Sequence, residues 1–480
     1  MRQLIDRLRA TLGPGGVLEG PDASDARDRA EARSLRAQLG LPTAVLRPQS
    51  TAEVSTILRA ANEARCPIVP WGGCTGLVDG AYAEGALALS LERMDAIEEI
   101  DTANRVTRVQ AGCTLQAVCE ATEERGLILP LDLGARGSAT IGGVIATNAG
   151  GNRVLRWGMT RDMVLGLEMV LADGTVVSAL NSLIKNNAGY DVKQLFIGSE
   201  GTLGVVTRAV LRLRPLPISQ NVALLSVAAF DRLPSVLRRF ERDLGGTLSS
   251  FEVMWREFYE LVTTEPALGR PILPYGHPFY VIVEAKGAMI DADAERFEGV
   301  LGSALEAEEI VDAVIAKSDA ERRAMWGLRD DVAQLARLGP IFTFDVSLKI
   351  TAMSAYVADV RRALEDRWGA ACRLVVFGHL GDGNLHLIAG VGSDSMSARH
   401  AVEEIVYGLL RRRDGSSISA EHGIGLQKRE YLSCSRSAAE IALMRTLKNA
   451  LDPRNILNPG KVLPDRSAPG DASTTRQDFD

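Results

Sequence analysis

Apolar residues recur every three to four positions in the opening stretch, MRQLIDRLRATLG, which predicts an amphipathic helix. The same period marks TAEVSTILRAANEA and TLQAVCEATEERG as helices. Between them run short apolar segments, ALALSL, RVTRVQAG and LGLEMVLADGTVV, broken by turn residues and therefore predicted as strands. These patterns divide the chain into zones. Residues 1–40 read as a helical, charged segment, and residues 41–217 as a glycine-rich domain closed by RPLP. From 218 to 440, strands (FYVIVEAKG, IFTFDVSL, RLVVFG) alternate with longer charged helices, predicting a second domain. A short helical C-terminal segment, 441–464, ends in the turn-rich LDPRNILNPGKVLP at 451–464. The small polar residues of 465–480 predict a disordered tail. The fold class expected is α+β.

Length supports that division, because 480 residues exceed what one core organises. The net charge of −7 and the lack of a broad basic stripe argue against nucleic acid as a partner. Six cysteines, none in a CxxC pair, point to a reducing, cytoplasmic setting. No apolar run reaches the 18 residues of a spanning helix, and the opening lacks the apolar core of a signal peptide.

The candidate chemistry gathers first in FGHLGDGNLHL, residues 377–387, which holds two of the five histidines. Asp382-Gly383 between apolar runs predicts a two-residue hairpin turn. That register sets His379 opposite His386 on one sheet face, about 5 Å apart at Cβ. Such a pair can grip a metal ion, or be two ordinary polar residues of a sheet; the stretch alone leaves both open.

Glycine is densest in PWGGCTGLVDG (70–80), GARGSATIGGVIATNAGGNRVLRWG (134–158) and IGSEGTLGVVT (197–207). Glycine lets backbone N–H groups close around an anion, and three such loops interleaved with Ser, Thr and Asn favour a dinucleotide. Neither GxGxxG after a first strand nor GxxxxGK[ST] occurs, so the Rossmann fingerprint is missing and the sequence argues against a P-loop NTPase.

The run PLDLGARGSATIGGVIATNAGGNRVLRWGMTRDMVLGLEMVLADG, continued by NNAGYDVKQLFIGSEGTLGVVTRAVLRLRP, resembles the FAD-binding domain of the vanillyl-alcohol oxidase type (PCMH-type) flavoproteins. GHLGDGNLH, SAEHGIGLQKREYL and LDPRNILNPGKV resemble the branch of D-lactate dehydrogenases, the glycolate oxidase flavin subunit and D-2-hydroxyglutarate dehydrogenases. The resemblance implies a two-lobed FAD domain, a cap domain carrying the substrate site, and a C-terminal segment packed at the FAD site. It implies FAD contacts from Gly72, Gly73, Thr75, Gly76 and Leu77, and from Pro130, Gly137, Ser138, Thr140, Gly142, Gly143, Asn148, Ala149 and Gly150. Glu200, Gly201, Gly204 and Val206 match the third FAD segment. The first loop departs from the family at Trp71 and Cys74, where arginine and glycine are usual. Residues 1–276 contain no histidine, so no histidyl-flavin bond can form there and the FAD is expected to be non-covalent.

The resemblance also implies that His379, His386 and Glu421 bind a divalent metal, often zinc, and that His422 is the general base. Nitrogen and carboxylate ligands suit zinc, and an imidazole titrates near working pH. Arg329, in MWGLRDDVAQL, matches an arginine that binds the substrate carboxylate, as a bidentate guanidinium can. Relatives often carry Asn where this chain has Ile388, and hold a second carboxylate with threonine and lysine where it has Ala333 and Thr343. The expected activity is FAD-dependent oxidation of a D-2-hydroxy acid, a D-lactate-like monoacid before a diacid such as D-2-hydroxyglutarate. The alternatives are a flavin oxidase of another alcohol and an electron-transfer flavin subunit. A quinone, an electron-transfer flavoprotein or a cytochrome would accept the electrons, and a homodimer and peripheral contact with the inner membrane stay open.

Overall fold

The computed structural model describes residues 1–32 and 38–464. The predicted tail, 465–480, lies outside the described residues. Two sheets and their helices form the first half of the molecule. Val17–Leu18, Ala44–Leu46, Leu87–Ser90 and Ile68–Trp71 make a four-stranded sheet in that order. Its last three strands are parallel. The helix Thr51–Ala64 provides the crossover, and the side chain of Ser50 caps it by accepting the Glu53 N–H. The opening helix, Arg2–Leu12, buries Leu4, Ile5, Leu8 and Leu12 in the same core as Val54, Ile57 and Leu58. A second sheet of five antiparallel strands runs in the order 97–101, 106–110, 205–212, 164–170, 176–179.

The second half is built on one sheet of seven antiparallel strands. Their order is Asp312–Ile315, Ser219–Val227, Phe279–Gly287, Leu248–Trp255, Arg373–His379, Asn384–Gly390 and Ile341–Ser347. Alternation along each strand sends residues to opposite faces. On one face Leu225, Val253, Val283, Val376 and Leu387 pack under Phe240, Phe297, Tyr356 and Val402 of four helices. On the other, Leu224, Met254, Ile282, Val375, Phe377 and Ile388 meet Phe258, Met325 and Leu335. MWGLRDDVAQL spans a break at Asp331: Asp319–Asp330 is α-helical and Val332–Leu338 is a 3-10 helix.

After the helix Ala438–Leu451 the chain returns to the first half. Leu457 bridges Ile68, and Ile456 and Leu457 enter the first core. Among the described residues no helix is long and apolar enough to cross a membrane.

Candidate active site

A cavity of about 810 Å³ lies between the halves. Gly72, Gly73, Thr75, Gly76 and Leu77 line it, with Thr140, Gly142, Gly143, Ala149 and Gly150 from the second glycine segment and Glu200, Gly201, Gly204 and Val206 from the third. Pro130, Gly137, Ser138 and Asn148 do not line it. Ser138 and Asn148 support the glycine loops. A Cβ on Gly73 would collide with the Ser138 carbonyl. The Asn148 side chain accepts the Arg161 N–H at 2.9 Å while capping its helix at φ +49°. Cys74 holds φ +55°, a left-handed conformation that explains why glycine is usual there. The buried Thr140 hydroxyl has no hydrogen-bond partner in the protein and sits beside Gly72 and Gly143. An unpaired hydroxyl among glycines that line the cavity fits the phosphates of a dinucleotide.

The cap sheet forms the facing wall, and here the structure corrects the expected hairpin. Phe377 pairs with His386. The turn is the four residues Leu380–Gly383, closed by Gly383 at φ +86°, instead of the two-residue Asp-Gly turn. The register moves by two, so His379 lies diagonal to His386 but on the same face. Their ring centroids are 5.3 Å apart. His277 and His400 are elsewhere, in a loop and on a helix surface, the latter within 3.0 Å of the Tyr431 hydroxyl.

Glu421 and His422 do not cap a helix. They sit in the loop Ser419–Gly425, which both halves hold. Asp345, fully buried, accepts the N–H groups of Ala420, Glu421 and His422 at 3.0, 2.9 and 2.9 Å on one oxygen. Glu200 accepts those of Ile424 and Gly425 at 2.7 and 2.9 Å from the other side. The loop therefore brings Glu421 Oε1 among three imidazoles. It is 3.8 Å from His379 Nε2, 3.6 Å from His386 Nε2 and 3.9 Å from His422 Nε2.

Each imidazole turns its Nδ1 toward a buried carboxylate. His379 Nδ1 is 2.8 Å from Glu252 Oε1, its direct partner across the sheet. His386 Nδ1 is 3.9 Å from Asp345 Oδ1, and His422 Nδ1 is 4.0 Å from Asp345 Oδ2. Carboxylates behind histidines are the usual means of aiming Nε2 at a cation. Ligand atoms of Asp345, His386, Glu421 and His422 lie within 4.8 Å of one another, a set that brings in Asp345 and omits His379. Asp345 lies on the Nδ1 side of His386 and Glu421 on its Nε2 side, so Asp345 serves as a backing group. Three Nε2 atoms and Glu421 form the front. This donor set fits a divalent cation such as zinc.

The electrostatics follow from burial and pairing. Burial opposes charge on His379, yet Glu252 and Glu421 outweigh it and hold its pKa well above the histidine norm. Burial depresses His386 to about 3, leaving its imidazole neutral at pH 7. Burial would raise Glu421, but His379 and His386 bring it down to about 2. Arg329, 5% exposed, donates Nε to Glu252 at 3.0 Å and places Nη2 3.4 Å from His379 Nε2. Its guanidinium lies 4.6 Å over the Phe377 ring. Glu252 was not singled out from sequence, although a lone carboxylate inside the apolar strand SFEVMW is such a signal. Asn458 was also missed. It lines the cavity and donates to the carbonyls of Gly80 and Glu200 at 3.0 and 2.8 Å.

The fold and this site define a two-domain flavoprotein, and comparison with known proteins agrees. Residues 42–180 match the FAD binding domain family, and residues 216–462 match the C-terminal domain of FAD linked oxidases. The chain is 41% identical over 453 residues to the mitochondrial D-2-hydroxyglutarate dehydrogenase of Bos taurus, covering 94% of this chain and 82% of that one. It is 43% identical over 437 residues to the D-2-hydroxyglutarate dehydrogenase of Xanthomonas citri pv. viticola, covering 89% and 90%. The solved structure of p-cresol methylhydroxylase with substrate bound superposes with a TM-score of 0.76 at 16% identity, covering 96% and 97%, a likeness of fold. The chain belongs to the family of FAD linked oxidases. It is an FAD-binding oxidoreductase with a PCMH-type FAD domain.

Proposed function

We propose that this chain oxidises a D-2-hydroxy acid to the 2-keto acid, using non-covalent FAD and a divalent cation, zinc by its donor set, held by His379, His386 and Glu421. One observation carries the reading. The imidazole and carboxylate cluster and Arg329 stand on the wall facing the glycine cradle of a single cavity. The names of the relatives supply the substrate class and its D configuration.

The residues divide the work. The terminal nitrogens of Arg329 pair with the substrate carboxylate while Glu252 fixes the Nε edge. His422 takes the hydroxyl proton at Nε2, with its Nδ1 side turned to Asp345. The cation, when bound, lowers the hydroxyl pKa and orients the substrate. A flavin held by the glycine cradle would supply the hydride acceptor for C2. Asp345 and Glu200 keep Glu421 and His422 in place through the backbone of their loop.

Anaerobic mixing with D- and L-2-hydroxy acids tests this directly. D acids should bleach the flavin, and chelation should stop the bleaching while the protein stays yellow. Acid precipitation should release the colour. Bleaching by L acids alone, or full activity in metal-free protein, would overturn the reading.

A further inference from the structure

We infer that the site accepts a 2-hydroxy acid whose side chain is uncharged and apolar, and that Val332, Leu335, Thr343 and Ile388 select it. This rests on the proposed function and extends it to the part of the substrate that does not react.

The register of three strands carries the inference. Asp345, His386 and Phe377 form one row across the sheet, since Asp345 pairs with His386 and His386 with Phe377. The next row on the same face is Thr343, Ile388 and Val375. Two residues along a strand is about 6.6 Å, roughly the reach of a short side chain from C2. One step from the imidazoles, the wall is therefore apolar. Ile388 is buried in one cluster with Val375, Phe377 and Leu335, and Val332 packs against it. The 3-10 helix Val332–Leu338 brings Val332 and Leu335 to the cavity beside Thr343 and Ile388.

The four substituents of C2 then have four destinations. The carboxylate goes to Arg329, the hydroxyl to the imidazole cluster and the hydrogen to the glycine-lined side. The fourth meets the apolar row. A second carboxylate there would need a second cation. Among the described residues lining the cavity, Arg329 is the one lysine or arginine, and Glu252 already holds one edge of it. A charge desolvated against Val332, Leu335 and Ile388 has no compensation.

The test is anaerobic reduction of the flavin in the metal-loaded holoenzyme by D-lactate, D-2-hydroxybutyrate, D-2-hydroxyisocaproate and D-2-hydroxyglutarate. The second-order rate of reduction should rise about fourfold per added methylene. D-2-hydroxyglutarate should fall more than about tenfold below D-lactate. Thr343→Lys, at a half-buried position, should raise the rate with D-2-hydroxyglutarate relative to D-2-hydroxyisocaproate by at least about tenfold. Leu335→Ala should lower the ratio of D-2-hydroxyisocaproate to D-lactate and serves should the lysine variant misfold. Rapid reduction by D-2-hydroxyglutarate, equal to or above that by D-2-hydroxyisocaproate, overturns the selectivity and leaves the dehydrogenase reading intact. No reduction by any D acid overturns both.

Discussion

On the flavin side of the cavity, Gly72, Gly73, Gly142 and Gly143 bring backbone to the surface, with the unpaired Thr140 hydroxyl among them. On the cap side, Glu252, Asp345, His379 and His386 project from sheet strands as buried ionisable side chains. The first wall recognises a ligand with groups every residue has, so its demand is that side chains be absent. The second depends on which side chains stand in register and on the charges that face them. A binding surface made of backbone fails when an atom is added. One made of buried charges fails when a partner is removed. Substitutions that discriminate these failures test the comparison.

The largest effect is expected at the cap wall. His422→Ala should slow flavin reduction by about 10²–10⁴-fold, the range for losing a general base, measured by anaerobic stopped flow. Flavin content should not change, because the side-chain neighbours of His422 are Asp345, His386 and Glu421, on the cap side. A loss below tenfold would move the base elsewhere.

The next tests how the two halves are held together. Arg153, from the flavin half, donates to Asp132 and, at 2.8 Å, to the buried Glu284 of the cap sheet. Burial alone would raise the Glu284 pKa, but Arg153 and Lys286 bring it from 4.5 to about 2. A carboxylate with a depressed pKa stabilises the fold fully above its unfolded value. That stabilisation should be lost as pH falls from about 4.5 toward 2. Glu284→Gln should cost about 3 kcal/mol at pH 7, as expected for one partner of a buried pair, and flatten the acid limb of a melting-temperature profile. An unchanged acid limb would show that Arg153 does not charge-lock the halves.

These elements differ in how legible they were. The helices at 51–64 and 115–123 follow from their apolar period, because one face of each is buried, and three of the seven cap strands, FYVIVEAKG, IFTFDVSL and RLVVFG, follow from apolar runs that the sheet buries on both faces. The three glycine clusters line one cavity because glycine marks backbone approach directly. The histidine pair falls on one face although the turn was misread, since a shift of two preserves parity. What the sequence left out is contact across long separations. Glu252 meets His379 from a strand 127 positions away, and Glu200 meets Ile424 across 224. The apolar run around Glu252 marks it as buried, but which partner each carboxylate meets is set only by sheet order and domain packing. For the same reason the hold of Glu252 on the Arg329 Nε was not legible from the sequence.

The backbone wall should break under one added carbon. In Gly73→Ala the new Cβ would meet the Ser138 carbonyl and Ala139. Overpacking of that kind costs about 1–3 kcal/mol, so flavin should bind roughly 10–100-fold more weakly. Equilibrium dialysis of flavin checks this, and metal content by elemental analysis should hold. Loss of metal together with flavin would mean that the walls are not independent.

The smallest effect expected is also the one that separates two roles of a single residue. Glu252 orients His379 through Oε1 at 2.8 Å and Arg329 through Oε2 at 3.0 Å. Glu252→Gln keeps the shape, retains one carbonyl acceptor and removes the charge, so one of the two partners loses its acceptor. If the aim of His379 dominates, metal affinity should drop about 10–100-fold, and added zinc should restore kcat. If the hold on Arg329 dominates, zinc should restore kcat only with KM still raised, because the guanidinium has lost the contact that fixes its fork. Competitive chelator titration and a KM against kcat split, both in the flavin-loaded protein, distinguish these outcomes. Flavin occupancy should be unmoved in either case, since the removed charge belongs wholly to the side-chain wall. A variant that bound metal normally and kept its KM would show that the buried carboxylate behind His379 is dispensable, and with it the rule that separates the two walls.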